Sequence, residues 1–471
     1  MNSIKIDTVF RFLFATSFVL VVFTSCQKQT NKEIVLVTQT KANVQNNQYK
    51  KGNLCHFPKE SRIVTLSQNK TEITIKVLTK DFFSACAPQV SFDGKSIVFA
   101  GQRNEKDIWQ IFEMNLENQK VHQVTTSTKE NCTDPLYLPD GRLLFSKLTD
   151  IAQTSNVYAL FSCNKDGSKI SQITFSPNAY FASRMLKDGR VLTFSQELFP
   201  IQKNAVFLVL RPDGTKERLF YKGIKGSYIR SSGKETENGK ILFIESNDRN
   251  KKRNICAVNY NNPVESKTNL TKEIEGDFYA VSPWRKDSLL VTYRSSKNNL
   301  FKLYSFNTKS NSLGKVFYED AKYNTIDAVI IKKHQRPRKL PSEVNLKFNS
   351  GLMLCQDINF TDSLQVGLKA NKVEVLGIDK TLRTVNVEKD GSFYIKIIAD
   401  TPFRLQTIGK NGQVVNGPSN WMYMRPGERR GCVGCHENRE QVPENRQPLS
   451  VQKGPIQVPE NIKKETKKKE Y

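Results

Sequence analysis

Between residues 89 and 291 the chain repeats one pattern of apolar and polar positions. Residues 89–99 read QVSFDGKSIVF, residues 136–145 LYLPDGRLLF, and residues 184–194 RMLKDGRVLTF. Residues 237–243 (ENGKILF) and 284–291 (WRKDSLLV) are more degenerate copies. Asp-Gly or Asn-Gly between two alternating apolar runs predicts a tight hairpin, because these residues tolerate the positive φ of the turn. The turn residues Asp93, Asp140, Asp188, Asn238 and Asp287 recur every 47 to 50 positions. A second alternating pair follows each hairpin, as in residues 108–112 with 122–125 and 157–161 with 170–174. Four strands per unit of about 45 residues predict the blades of a β-propeller. Residues 62–66 and 72–79 read as later strands of one more blade, whose missing strands come from 325–331 or from 34–37. The expectation is an all-β chain with a six-bladed propeller over 55–333.

The style changes at Arg336-Pro337-Arg338-Lys339-Leu340-Pro341, so 334–344 is a linker. Residues 345–424 alternate as shorter strands, with a hairpin at Lys389-Asp390-Gly391-Ser392 and another at Lys410-Asn411-Gly412-Gln413. They predict a small antiparallel β-sandwich. Residues 425–448 carry a different signal, and 449–471 read as a disordered basic tail.

That signal is Cys432-Val433-Gly434-Cys435-His436, the C-x-x-C-H attachment pattern of a c-type haem. Two thiols add to the porphyrin vinyls and the histidine reaches the iron. With nine Cys and four His in the chain, chance placement is of order one in a thousand. A zinc knuckle would need a second ligand pair at short spacing, and the chain has none. One haem c bound by Cys432, Cys435 and His436 is the reading.

The chain start agrees with this. Lys5 and Arg11 precede a short apolar run that ends at Thr24-Ser25-Cys26. This is a signal-peptide pattern too short for a comfortable membrane span, with Cys26 placed for lipidation. Residues 1–26 are the leader and 27–54 a polar tether holding one candidate strand. The expected location is the cell envelope, periplasm-facing or as an outer-membrane lipoprotein, with a lipid anchor in the membrane and a redox protein as partner. The formal charge of +26, from 72 basic and 46 acidic residues, is spread through turns and strands. Nucleic-acid binding needs clustered basic residues, so it is not expected.

Six further cysteines remain. Cys163 and Cys256 lie within apolar strand patterns and read as core. Cys86 and Cys132 lie seven and eight residues before Asp93 and Asp140, entering the first strands of adjacent blades. With Asp134 they are candidates for a metal or haem-edge contact at the channel mouth. Cys55-His56 is a third candidate, and His122 and His334 read as exposed.

The block from Arg425 through Glu437, the Asp390-Gly391-Ser392-Phe393 hairpin and Asn445-Arg446-Gln447-Pro448-Leu449 resemble the hydrazine synthase alpha subunit-related family of exported proteins. The resemblance implies a haem between propeller and middle domain. It also implies a tyrosine iron ligand shortly after the motif, which frees the motif histidine for zinc. Here Glu437-Asn438-Arg439-Glu440 offers no tyrosine, and the family's second haem domain has no counterpart. Both departures weigh against hydrazine synthesis itself. If the zinc arrangement persists, His436 pairs with Cys132. The functional expectation is an exported haem c protein with a redox or electron-transfer role. The alternative is a non-catalytic propeller binding module in which haem or zinc is structural.

Overall fold

The Asp-Gly turns nucleate hairpins, and the hairpins assemble into six radial sheets. These are seen in a computed structural model that describes residues 33–41, 57–68, 72–151, 154–247, 252–360, 369–434 and 445–460. Blades 2, 3 and 4 run inside to outside from Ser84–Val90, Cys132–Tyr137 and Asn178–Met185. Blade 5 starts at Tyr228–Ile229 and Lys234–Glu235, and blade 6 at Asp277–Arg285. Aromatic and branched side chains from facing blades fill the space between them. Phe99, Phe145, Phe194, Phe207 and Phe243 are fully buried.

Blade 1 closes the ring with strands from both ends. Its order is Asn324–Ile331, Ile34–Thr40, Ser61–Gln68, Ile73–Val77. The sequence offered 325–331 or 34–37 as alternatives, and the fold uses both. The propeller therefore begins inside the expected 27–54 tether. The reason lies in the run Ile34-Val35-Leu36-Val37, which has no polar face and so demands burial on both sides. Val37 pairs with Val64 on one flank and with Ala328 on the other.

The linker is bound along its length. The His334 N–H donates to Phe92 O at 3.0 Å. A Cβ on Gly189 would sit 2.2 Å from Arg338 O, so the blade 4 turn needs glycine both for its positive φ and for this crossing. Arg211 then pairs with Glu343 at 2.8 Å, and Asp213 accepts from Ser342 Oγ and the Glu343 N–H.

Two four-stranded sheets form the sandwich. One is Arg429–Cys432, Ser350–Cys355, Phe393–Ile398, Ile456–Val458, and the other Thr381–Asn386, Ala370–Leu376, Arg404–Gly409, Val414–Asn416. The expected antiparallel arrangement holds inside, but both edge strands of the first sheet are parallel to their neighbours. The expected disordered tail is also corrected in part. Leu449–Lys453 is a helical turn and Ile456–Val458 a strand. Val458 is fully buried in the sandwich core, and that burial holds a segment too short and polar to announce itself in sequence. Residues 461–471 lie outside the described set.

Candidate functional site

Arg429–Cys432 is an edge strand of the first sheet among the described residues, pairing with Ser350–Cys355. Cys432 is the register partner of Cys355, and its side chain is half-buried against the sandwich core. The Gln356 N–H donates to Cys432 O at 3.0 Å, and the Asp357 N–H to Val433 O at 3.1 Å. A Cβ on Gly434 would lie 2.2 Å from Phe360 O, so the middle of the motif accepts only glycine. The chain returns to the same corner at Arg446, whose guanidinium pairs with Asp390 at 2.8 Å and donates to Gln356 O at 3.1 Å. Gln356 thus holds both arms of the motif segment. Cys435 and His436 lie outside the described residues, as do Cys26, Cys55 and His56.

The described half of the motif fits a covalently attached porphyrin. Cys432 is half-exposed on an edge strand, and among the described residues nothing lies within 4 Å of where a side chain on Gly431 would point. Cys355, which sequence reasoning counted only as one thiol among six, is a further sulfur beside the attachment strand. No spacing in the sequence could reveal a strand-to-strand neighbour 77 residues away.

Immediately before the motif, the chain docks on the outer edges of blades 3 and 4. Tyr423 Oη donates to Gly214 O at 2.7 Å, and Trp421 Nε1 to Phe199 O at 2.6 Å. Glu428 is fully buried. Its Oε1 accepts the Lys216 N–H at 3.0 Å and Arg430 Nη2 at 2.8 Å, and its Oε2 accepts the Arg425 N–H at 2.9 Å. Glu217 of blade 4 completes the cluster, accepting from Tyr180 Oη at 2.8 Å. Burial pushes the Glu217 carboxyl up to about 7, and burial raises Asp400, which pairs with Arg425 at 3.0 Å, to about 6.

Both acids therefore hold protons more tightly folded than unfolded. Their stabilisation is fully present below their ordinary range near 4 and is lost as pH rises through about 6 to 7. Thermal unfolding followed from pH 5 to 8 is expected to show a falling midpoint. Glu217→Gln is expected to flatten that fall, and an unchanged slope would refute the assignment to Glu217.

The propeller candidates divide. Cys86 and Asp134 line the central channel. Cys132 is buried in the core between blades 2 and 3, where burial raises its thiol to about 11. The two cysteines enter the first strands of adjacent blades, as expected, but not at equivalent positions. Cys86 pairs with Ala100 just before a bulge, and its counterpart in blade 3 is Thr133, paired with Ser146 just before another. Cys132 is one residue earlier, and in a strand one residue changes the face. Cys163 and Cys256 are core, as expected, with burial raising both to about 12. Among the described residues, no group of three or more His, Cys, Asp or Glu is arranged to hold a metal. The pairing of Cys132 with His436 involves a residue outside that set. Two propeller groups meet the motif strand: Lys216 Nζ donates to Arg429 O, and Glu217 faces Arg430.

The profile of the hydrazine synthase alpha subunit middle domain matches residues 344–437, the sandwich and the motif together. The hydrazine synthase alpha subunit of Kuenenia stuttgartiensis is 22% identical over 537 residues, covering 85% of this chain. The chain is related to the hydrazine synthase alpha subunit. It spans 65% of that relative's length. The solved structure of K. stuttgartiensis hydrazine synthase superposes with a TM-score of 0.78 at 21% identity, over 89% of this chain and 71% of that one. TolB from Acinetobacter baumannii matches with a TM-score of 0.45 at 13% identity, over 64% and 67% of the two chains. The relationship thus takes in propeller and sandwich in the order the sequence predicted.

Proposed function

We propose that this chain is an exported haem c protein of the cell envelope, tethered by acylated Cys26, that serves electron transfer or a small-molecule redox step. The observation that carries the reading is the placement of Cys432. It stands half-exposed on the edge strand of the described sheet, next to Arg429 and Arg430, which meet blade 4. A bound haem supplies a one-electron iron centre whose potential is set by burial and axial ligation. Cys432 and Cys435 would hold the porphyrin covalently and His436 would face the iron, or a zinc ion if a different group takes the iron. Gln356, Asp357 and Arg446 fix the two arms of the loop that carries these ligands. Glu428, Arg430 and Glu217 lock that corner against blade 4.

Intact mass of the protein purified from a host that matures c-type cytochromes tests both covalent claims together. One haem mass per chain and an acylated start at Cys26 are expected, with haem lost in Cys432→Ser and Cys435→Ser. A folded wild-type chain without an added haem mass overturns the haem reading, and an unmodified Cys26 overturns the anchor.

A further inference from the structure

Three adjacent inner strands share an irregularity that the hairpin pattern does not require. In blades 2, 3 and 4 the ladder shifts between Cys86 and Gln89, between Thr133 and Leu136, and between Phe181 and Arg184. Each shift is a bulge, and the residue inside it has a positive φ: Ala87 at 52°, Asp134 at 50° and Ala182 at 48°. Left-handed backbone at non-glycine residues costs about 1 kcal/mol or more each, and such bulges serve to re-aim side chains. All three line one cavity in the central channel, about 130 Å³ in volume. At about 10–15 Å³ per water centre this is room for roughly ten waters, or one small organic molecule. Alanine at two of the bulges leaves space. Aspartate at the third puts a carboxylate into it.

The remaining lining is mixed, with Phe194, Val281 and Ile326 as apolar walls and a smaller set of polar and charged groups. Arg184 and Arg230 face the same cavity, as do Ser231, Ser232 and Thr38. Lys234 and Asp327 close on each other at 2.8 Å and cancel locally. Burial pushes the Asp134 carboxyl up, against the pull of the Ala182 backbone and the Arg184 charge, and among the described residues no ion pair joins it to Arg184. The nearest partner of the Arg184 guanidinium is its neighbour's carbonyl, Ser183 O, at 2.8 Å. Thr38 Oγ1 is buried with no hydrogen-bond partner among the described residues. An anionic and a cationic group, both largely withdrawn from water and left unpaired with each other, favour a ligand that carries the two complementary charges.

We propose that the propeller channel binds a small zwitterion of the α-amino acid type, its ammonium on Asp134 and its carboxylate on Arg184, with Thr38 as a further hydrogen-bond partner. None of the lining residues belongs to the described part of the motif.

The test is calorimetric titration of the full chain with glycine, acetate and methylammonium. Glycine is expected to bind, and each half-ligand at least about tenfold more weakly, since each lacks one charged contact. Asp134→Ala and Arg184→Gln are expected to weaken glycine binding by about tenfold or more, with the haem spectrum unchanged. Asp134→Ala places in blade 3 the residue that blades 2 and 4 already carry there, so its fold is secure and it decides the matter if Arg184→Gln does not fold. No glycine binding at millimolar concentration, acetate binding as tight as glycine, or glycine binding unaltered in Asp134→Ala would each overturn the proposal.

Discussion

Leu36→Ala is expected to destabilise the protein by about 2–5 kcal/mol, the range for a buried leucine whose cavity cannot collapse. The strand Ile34–Thr40 lies at the seam of the ring and is buried on both faces. Leu36 points into the cluster shared with blade 2, beside Ile97, Phe99 and Phe112. Val35 and Val37 point the other way, into the cluster shared with blade 6, beside Leu290, Leu303 and Tyr318. Gln39 adds a polar clasp, donating to Tyr318 Oη at 3.2 Å and accepting from Arg62 Nε at 2.9 Å. A domain of this kind has about 5–15 kcal/mol of stability in total, so one truncation at the seam removes a large share of it. Ile75→Ala in the outermost strand of the same blade is the control. Ile75 is 46% exposed, and a change of about 0.5 kcal/mol or less is expected there. Urea unfolding of the three proteins measures both. Equal losses at positions 36 and 75 would show that the closure strand contributes nothing special.

That seam shows how far the sequence could be read. The Asp-Gly hairpins fixed the number of blades because a tight turn is a local event, written within four residues. Which chain end completes blade 1 is a matter of long-range pairing, so residues 34–37 and 325–331 stood as alternatives where the fold uses both. Face assignment in the inner strands failed on a finer point. Both blades carry the same bulge, and Cys86 and Cys132 stand seven and eight residues before their turns, so that single-residue difference, small in the sequence, puts Thr133 and not Cys132 in the place of Cys86. The haem motif was legible because its chemistry demands consecutive residues. Its surroundings were not. Cys355, Gln356 and Glu217 reach it across strand pairing and domain docking, and none carries a local pattern. Val458 joins the sandwich core from within a Pro- and Lys-rich tail, where three strand residues cannot outweigh the composition around them.

Glu428→Ala is expected to cost about 3–5 kcal/mol, the range for breaking one side of a buried ion pair. Glu428 has no exposure, and the Arg430 side chain beside it is 11% exposed. Alanine leaves that guanidinium buried near Glu217 alone, and leaves the Lys216 and Arg425 N–H groups without their acceptor. Two of those donors sit in the sandwich arm and one in blade 4, so the damage falls on the joint between the domains. Glu428→Gln keeps one oxygen for a backbone N–H while losing the charge, and an intermediate loss is expected. The blades keep their own cores, so the variant should unfold in two steps, with the sandwich and the motif strand released first. Proteolysis within residues 334–344 should quicken, because a released sandwich pulls on the end of the linker that Asp213 and Arg211 of blade 4 hold. A single cooperative transition within about 1 kcal/mol of wild type, with the linker as protease-resistant as before, would sink the assignment of Glu428 as the buried lock between propeller and sandwich.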